Sequence, residues 1–415
     1  MTDTSLRTAR TLGDLCDLVG RQVDPSLKPD AVYLGLEHIP SGRLRVTAHG
    51  RAREVKSSKA LFEPGDVLLS KLRPYLDKAV LAETGGMCTT ELLVLRAKPG
   101  TDPRFLDCVV HRADFIDHAM AGVTGAQHPR TSWSHLARFE IADVSLADQR
   151  AIGEFLWRVH DLLAVCERSL HLGLHLKRAA ARELLKQGLR RSGLRASPFG
   201  PAPENWEIVP LGTLGKIGNG STPKKSHPEY WHEGVFPWLT SAKVYDGDIT
   251  AADRFVTDQA LEKCHLPILQ PGTVLVAITG QGKTLGHCAV LHIEATISQH
   301  LAYIQPDAAR IDPQFLRGFL DTQYDFLRQV GLAGGSTKAA LTCAFLRDLP
   351  IPLPSLDEQH EIVRILNILG RWLDVQRRKK TSLERMFHRL LVHLTDGEVD
   401  VHQLTAKRPG EKKAA

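Results

Sequence analysis

The chain has 415 residues, of which 43% are hydrophobic and 24% charged, a composition typical of a globular protein with two or three domains. Its formal net charge of +6 favours an anionic partner without identifying one. The seven cysteines are dispersed and none forms a Cys-x-x-Cys pair, which argues against a disulfide framework or structural zinc and suits the reducing cytoplasm. No apolar run reaches the ~18 residues of a membrane helix, and the first residues lack the apolar core of a secretory signal. We therefore expect a cytoplasmic location.

An internal repeat organises the chain. Short motifs that begin at Ala79, Asp102 and Asp148 recur 210 residues later at Ala289, Asp312 and Glu358. This offset is far longer than the period of a solenoid, so each copy is long enough to hold its own core. The sequence predicts a tandem duplication in which each copy is a mixed α/β domain followed by a long helix.

The first domain, residues 1–147, combines short β-branched strands with a helix that begins at Asp102-Pro103. Three of its segments are predicted to contact DNA, because Lys and Arg bind phosphates while Arg and Gln also bind base edges. The candidates are a basic run with Arg51, Arg53, Lys56 and Lys59, a hairpin loop "SKLRPYLDK" with Lys71, Arg73 and Tyr75, and a glycine-rich segment with Gln127, His128 and Arg130. A solvated hairpin tip and a solvated edge strand are the alternatives.

A degenerate nuclease pattern overlaps the basic run. Asp30, Glu54 and Lys56 fit a Pro-Asp…Glu-x-Lys arrangement, in which two carboxylates would hold Mg²⁺ and the lysine would stabilise charge on the attacked phosphate. This pattern makes a free-standing Mg²⁺-dependent nuclease an alternative function.

Two long helices are predicted at residues 148–191 and 357–396, where apolar residues recur in alternating steps of three and four. Each stretch would extend ~60 Å, longer than a compact domain needs for one surface helix. We expect the two helices to pack as an antiparallel coiled-coil spacer; two hairpins of shorter helices are the alternative. Residues 192–204 are predicted as a linker and 397–415 as a C-terminal tail.

The second domain, residues 205–356, contains "AITGQGKTLG" from Ala277, which resembles the end of a phosphate-binding P-loop. The first glycine of that motif is replaced by Ala277, and the sequence after Lys283 predicts a strand where a P-loop needs a helix. The segment occupies the position of the first copy's hairpin loop. The candidate DNA contacts of this domain are Lys224, Lys225, Trp238, Ser241, Lys243, Thr279, Gln281, Lys283, Ser336, Thr337 and Lys338.

The order of these pieces resembles the specificity subunit of type I restriction-modification systems. The matching segments are "WEIVPLGTLGKIGNGSTP" from Trp206, "PWLTSAKV" from Pro237, "GDVLLSKLRPYLDKAVLA" from Gly65, "PLPSLDEQHEIVRILN" from Pro352 and "RLLVHLTDGEVDV" from Arg389. The first copy departs from the pattern, since it lacks "GNGSTP" and enters its helix through "VSLADQRAIGEFL".

The resemblance implies a non-catalytic subunit with two target-recognition domains, each reading one half of a split site in double-stranded DNA. The paired helices would set the gap and dock two modification subunits, which methylate adenine with S-adenosylmethionine. Restriction subunits that use ATP and Mg²⁺ would join them, and this chain would bind no cofactor itself. A methylation-only complex, or another type I-like defence complex, is the alternative assembly, and a coiled-coil scaffold without a DNA role is a third interpretation.

Overall fold

The computed structural model describes residues 9–125, 127–189, 193–280, 282–333 and 340–405. The fold is mixed α/β and divides into two compact units. Unit 1 comprises the chain up to residue 170 together with residues from 375 onward, and unit 2 comprises residues 171–374. Each unit therefore contains one β-rich region and a part of both long helices, so the units do not follow the consecutive segments predicted from the sequence.

The elements up to residue 187 form the first copy of the repeat. They are β1 (Ala9–Thr11), α1 (Leu12–Leu15), β2 (Cys16–Leu18), β3 (Gln22–Val23), β4 (Val32–Leu34), β5 (Gly50–Arg51), β6 (Lys59–Phe62), β7 (Val67–Ser70), β8 (Ala79–Leu81), β9 (Gly86–Cys88), β10 (Leu92–Ala97), α2 (Pro103–Val109), α3 (Ala113–Ala121), α4 (Trp133–Leu136), β11 (Glu140–Ala142) and α5 (Leu146–Gln187).

The elements after residue 193 form the second copy. They are β12 (Leu194–Arg195), β13 (Ala202–Pro203), β14 (Glu207–Pro210), β15 (Gly215–Asn219), β16 (Phe236–Leu239), β17 (Asp248–Ile249), β18 (Phe255–Val256), α6 (Asp258–Lys263), β19 (Val274–Ala277), β20 (Cys288–Leu291), β21 (Thr296–Ile297), β22 (Leu301–Pro306), α7 (Pro313–Thr322), α8 (Tyr324–Ala333), α9 (Cys343–Asp348), β23 (Pro350–Leu353), α10 (Leu356–Thr395) and α11 (Val401–Thr405).

Unit 1 contains a four-stranded sheet in the order β2-β10-β7-β8, in which every neighbouring pair is antiparallel. A five-stranded sheet follows the order β3-β6-β9-β4-β5, and β1 pairs with β11. Helix α2 buries Phe105 and Leu106 in the main core of the unit. The strand β7 reads Val-Leu-Leu-Ser and is buried along its length, as expected for a strand covered on both faces.

Unit 2 has a comparable plan. Its five-stranded sheet has the order β15-β22-β19-β20-β17, a three-stranded sheet has the order β18-β16-β21, and β14 pairs with β23. Helix α7 buries Phe315 and Phe319 beside Trp206 in the core. Strands β19 and β20 are antiparallel neighbours, which confirms the prediction of strand, loop, strand around the P-loop-like segment.

The predicted repeat has a structural counterpart at the start of each long helix. In unit 1 the backbone N–H of Asp102 donates to the side-chain oxygen of Gln149 over 3.0 Å. In unit 2 the backbone N–H of Asp312 donates to Gln359 in the same way over 2.8 Å. Both aspartates also cap the helix that follows, by accepting hydrogen bonds from backbone N–H groups of the first turn.

The long helices α5 and α10 contain 42 and 40 residues, so each is about 60 Å long at 1.5 Å per residue. Within unit 1 their segments run antiparallel, because Glu167 lies 3.2 Å from Lys380, while His160, earlier in α5, has its ring 6.1 Å from that of Phe387, later in α10. The helices span Leu146–Gln187 and Leu356–Thr395, compared with the ranges 148–191 and 357–396 predicted from the sequence.

Their segments in unit 2 also run antiparallel. Gly173 faces Trp372, where an added Cβ atom would lie 2.3 Å from the indole ring, and further along α5 the side chain of Leu185 shares a core with Ile362. Trp372 and Leu373 both lie against Gly173, and of the two Leu373 is buried while Trp372 is 42% exposed.

Residues 193–204, predicted as a linker, carry the paired strands β12 and β13 and pack onto unit 2. The ring of Phe199 lies 5.8 Å from that of Phe319 and 5.1 Å from that of Phe326. Of the predicted tail, residues 397–405 are described, and there Val401 is buried in the core of unit 1. None of the helices in the described ranges is long and apolar enough to cross a membrane.

Candidate nucleic-acid interface

The hairpin loop between β7 and β8 carries the first group of candidate DNA contacts. Arg73 and Tyr75 are exposed, and Lys71 is half-buried. Arg73 has a left-handed backbone conformation, with φ of 51°. The loop therefore presents a cation and an aromatic ring to solvent on a constrained backbone, which suits contact with a phosphate or a base edge.

The glycine-rich segment lies beside this loop. The backbone N–H of Arg73 donates to the carbonyl of Pro129 over 2.8 Å, and the N–H of Thr131 donates to the carbonyl of Lys71 over 3.0 Å. Gln127 and His128 are exposed on the same segment. The fold thus brings together two groups of residues that the sequence predicted separately.

Arg130 is held in place by Glu91. Its guanidinium donates to both carboxylate oxygens, over 2.9 and 3.2 Å, and this hydrogen bonding lowers the pKa of Glu91. A guanidinium fixed in this bidentate way has a defined direction, but part of its charge is already balanced. Arg130 is therefore better placed to orient a contact with DNA than to attract the DNA by its charge.

The basic run of unit 1 divides into exposed and buried side chains. Arg51, Arg53 and Lys56 are exposed, and Arg51 donates to the carbonyl of Asp30 over 2.9 Å. The prediction that Lys59 faces solvent is wrong, because its side chain is buried and only 6% exposed. Its ammonium donates to the carbonyl and hydroxyl of Ser57, over 2.7 and 2.6 Å, and lies 5.8 Å from the centre of the Tyr33 ring.

In unit 2 the corresponding loop lies between β19 and β20. The side chain of Thr279 is hydrogen-bonded to the imidazole of His300 over 2.6 Å, and Lys283 is exposed. The backbone N–H of Leu341 donates to the carbonyl of Ile278 over 2.8 Å, so this loop also lies beside the chain that follows the glycine-rich segment. The candidates Gln281, Ser336, Thr337 and Lys338 lie outside the described residues.

The remaining candidates of unit 2 differ in accessibility. Lys224 and Lys225 are exposed, and Ser241 is half-buried. The ammonium of Lys243 lies 2.5 Å from Asp246 and 3.6 Å from Asp253, and the hydrogen bond to Asp246 is the main cause of its raised pKa. Its charge is largely balanced within the domain.

The prediction that Trp238 contacts DNA is also wrong, because this side chain is buried. It is 3% exposed, and its indole N–H donates to the carbonyl of Ser221 over 3.2 Å. The ring packs edge-on against Trp231 at 5.0 Å. Trp238 is therefore a core residue under the surface that the lysines occupy.

An open cleft of about 490 Å³, which the sequence did not predict, lies beside Trp231. Its lining combines an aromatic and an apolar floor with cationic or titratable side chains, from Lys225, Pro228, Trp231, His232 and Arg254. Such a combination suits a nucleotide, because bases stack on aromatic rings and phosphates bind cations. The signal was present as aromatic and basic residues interleaved in "KKSHPEYWHEG" from Lys224.

The arrangement around the nuclease pattern gives no support to metal catalysis. The carboxylate of Asp30 pairs with Arg53. Within the described ranges, no group of three or more His, Cys, Asp or Glu side chains is placed to hold a metal ion.

The known proteins to which this chain is similar belong to type I restriction systems. Residues 203–385 match the family described as the type I restriction modification DNA specificity domain. The putative type I restriction enzyme MjaX specificity subunit of Methanocaldococcus jannaschii is 23% identical, over 94% of this chain and 93% of the relative. The MjaIX specificity subunit of the same organism is 26% identical, over 46% of this chain and 44% of the relative.

Solved structures extend the similarity of fold to nearly the whole chain. A chain from a study of complex assembly and conformational transition of the type I R-M system aligns with a TM-score of 0.63 and 21% identity, over 96% of this chain and 100% of that one. The HsdS subunit of Thermoanaerobacter tengcongensis aligns with a TM-score of 0.53 and 22% identity, over 96% and 99%.

The chain therefore shares its fold with solved chains of type I restriction-modification systems. The comparisons confirm the resemblance predicted from the sequence: residues 203–385 match the DNA specificity domain, and nearly the whole chain is similar to a type I specificity subunit.

Proposed function

We propose that this chain reads a split sequence in double-stranded DNA, with one half-site read by the β-rich region of each unit. The observation that carries the proposal is a backbone contact that occurs in both units. In each, a hairpin loop is hydrogen-bonded to the glycine-rich segment or to the residues directly after it. In unit 1 this pairing joins Arg73 to Pro129, and in unit 2 it joins Ile278 to Leu341. Two similar reading surfaces on one chain are what a bipartite site requires.

The cations of these surfaces support contact with the DNA backbone. Arg51, Arg53 and Lys56 are exposed in unit 1, and Lys224, Lys225 and Lys283 are exposed in unit 2. Phosphate contacts position a protein on the duplex, while side chains that reach base edges provide sequence discrimination. We assign the phosphate role to these six cations, and the base-reading role to the hairpin loops.

The long helices are proposed to act as an antiparallel coiled-coil spacer that sets the gap between the half-sites. Both helices also expose large apolar side chains. They are Leu162, Val165, Val375 and Met386 in unit 1, and Leu172, Leu176, Ile368 and Trp372 in unit 2. Exposed apolar residues clustered on one element mark protein-binding surfaces, so we assign to them the docking of two modification subunits.

In this assembly the chemistry belongs to the partners. Modification subunits would use S-adenosylmethionine to methylate adenine, restriction subunits would use ATP and Mg²⁺, and this chain would bind no cofactor. A complex that contains modification subunits but no restriction subunits would need the same chain. Either complex would lie in the cytoplasm. The genes that accompany this one distinguish the two assemblies.

The test is a genome-wide map of adenine methylation in cells that carry this gene with its neighbouring methyltransferase. We expect a gapped motif to be methylated, and this methylation to disappear when this gene alone is deleted. A map that is unchanged by the deletion, although the chain and the methyltransferase are both expressed, contradicts the proposal.

A further inference from the structure

The hairpin loop of unit 1 is held in an unusual backbone conformation at two positions. Arg73 and Asp77 both have positive φ angles, 51° and 47°, although neither is glycine. Such conformations are strained for a residue with a Cβ atom and persist where surrounding contacts impose them. The N–H of Asp77 donates to the carbonyl of Pro74 over 2.9 Å, and its carbonyl accepts from Gly42 over 2.7 Å.

The side chain of Asp77 makes a further contact in the interior. Its carboxylate lies 2.7 Å from Nδ1 of His111, a residue that follows helix α2 and is 3% exposed. On the other side of the imidazole, Nε2 lies 4.0 Å from the carboxyl of Asp107, which is fully buried. Neither oxygen of Asp107 has a hydrogen-bond partner among the described residues.

The charges around His111 favour its protonated form. Burial lowers the pKa of His111, but the charge and hydrogen bond of Asp77, together with Asp107, outweigh burial, and the net direction is upward. Burial raises the pKa of Asp107 to about 7, against the opposing effects of His111 and Arg45. His160 of α5 also faces this cluster, and burial lowers its pKa to about 4, so it is neutral at pH 7.

We propose that His111 is a positioning residue for DNA reading: its bond to Asp77 fixes the hairpin loop that carries Lys71, Arg73 and Tyr75. This inference rests on the proposed function and adds to it a residue that does not touch DNA. Because a displaced side chain loses its contact with the base edge, a loosened loop should discriminate bases less well.

The loop of unit 2 is held by different chemistry. The hydroxyl of Tyr324 donates to the carbonyl of Lys283 over 2.7 Å, and the guanidinium of Arg328 donates to the carbonyl of Gly282 over 2.5 Å. Neither contact uses an imidazole or a carboxylate. Unit 2 therefore supplies a matched control in the same chain.

The experiment compares His111→Leu, His111→Asn and Tyr324→Phe in the complex with its modification subunits. Methylation rates are measured on duplexes that carry one wrong base in either half-site. We expect His111→Leu to reduce discrimination about tenfold in one half-site and leave the other unchanged. The Asn side chain can still donate to Asp77, so His111→Asn should retain more discrimination. Tyr324→Phe should affect the opposite half-site.

A pH series separates positioning from a general loss of stability. In the wild type, discrimination at the half-site sensitive to His111 should fall as the pH rises and the imidazolium loses its proton, and His111→Leu should abolish this dependence. Equal effects on both half-sites, or a pH profile that His111→Leu leaves unchanged, overturn the inference. If His111→Leu does not fold, His111→Asn and the wild-type pH series decide. A wild-type complex without any half-site discrimination instead contradicts the proposed function.

Discussion

The two units share the contacts at the start of their long helices but differ in the residues that support their hairpin loops. In each, a buried glutamine near the start of a long helix accepts the backbone N–H of the aspartate that caps a second helix, Asp102 for Gln149 and Asp312 for Gln359. The same side chain then donates to a carbonyl five residues earlier in the chain, over 2.8 Å in unit 1 and 2.9 Å in unit 2. The junction between helix and β-rich region is thus the same.

The loops that lie farther from this junction are supported by unrelated residues. Unit 1 uses the buried His111 and the half-buried Asp77, whereas unit 2 uses Tyr324 and Arg328, which bind loop carbonyls. The sequences of the loops themselves also differ. Residues that contact a hairpin loop must differ between the units because the loops differ in sequence. The glutamine at the start of each long helix contacts elements that both units share, so it can stay the same. Three predictions probe this division.

The largest effect is expected at the shared junction. Gln359→Ala leaves the N–H of Asp312 and the carbonyls of Arg310 and Pro354 without their partner, whereas Gln149→Ala leaves two backbone groups. Because each unpaired buried group costs about 1–3 kcal/mol, we expect the free energy of unfolding to fall by about 3 kcal/mol in the first variant and about 2 kcal/mol in the second.

Chemical denaturation gives the size of these losses, and amide hydrogen exchange read by mass spectrometry assigns each loss to its unit. Increased exchange in unit 2 for Gln359→Ala, and in unit 1 for Gln149→Ala, is the predicted pattern. Exchange that rises in the other unit for either variant would contradict the equivalence of the two junctions.

A smaller effect is expected from pH in unit 1. Burial raises the pKa of Asp107 to about 7, and the pKa of His111 is also raised, by Asp77 and Asp107 against the effect of burial. Both groups bind their protons more tightly in the folded than in the unfolded state, so the stability they contribute is lost as pH rises through neutrality. Between pH 6 and 8 the free energy of unfolding should fall by about 1 kcal/mol.

Asp107→Asn is the matched variant for this prediction, since it keeps the shape of the side chain and removes its titration. Thermal unfolding of the variant should depend less on pH than that of the wild type, and the variant should be the more stable protein at pH 8. Parallel pH profiles for the two proteins would show that Asp107 does not titrate in this range.

The smallest effect concerns single phosphate contacts. Lys283 is exposed, whereas Lys243 is paired with Asp246 and Asp253. Each phosphate contact contributes about 0.9 to the slope of log K against log salt concentration. Lys283→Ala should therefore reduce that slope by about 0.9, and Lys243→Ala should change it less. Affinities of the assembled complex measured at several salt concentrations test this, and equal changes in both variants would remove the distinction.

The sequence predicted those features of the fold that depend on local patterns. The Asp-Pro motifs at 102 and 312 begin helices as expected, because aspartate caps the first turn and proline fits it. The steps of three and four residues predicted the long helices. The repeat offset predicted that Gln149 and Gln359 occupy equivalent positions, although it could not predict what they bind.

Features that depend on distant contacts could not be predicted in this way. Lys59 and Trp238 belong to residue types that often contact DNA, but Ser57 and Ser221 draw their polar atoms inward. The contact of Asp77 with His111 spans 34 residues and has no counterpart in a local pattern. Burial of this kind is decided by how separate elements pack, and a single sequence carries no direct record of it.

The central claim is that each unit reads one half-site independently. The direct measurement replaces residues 205–356 by the corresponding region of another specificity subunit with a known, different target, and then maps adenine methylation in cells. The account predicts a hybrid motif in which one half-site is new, while the other half-site and the length of the gap are unchanged. A change in both half-sites would contradict it.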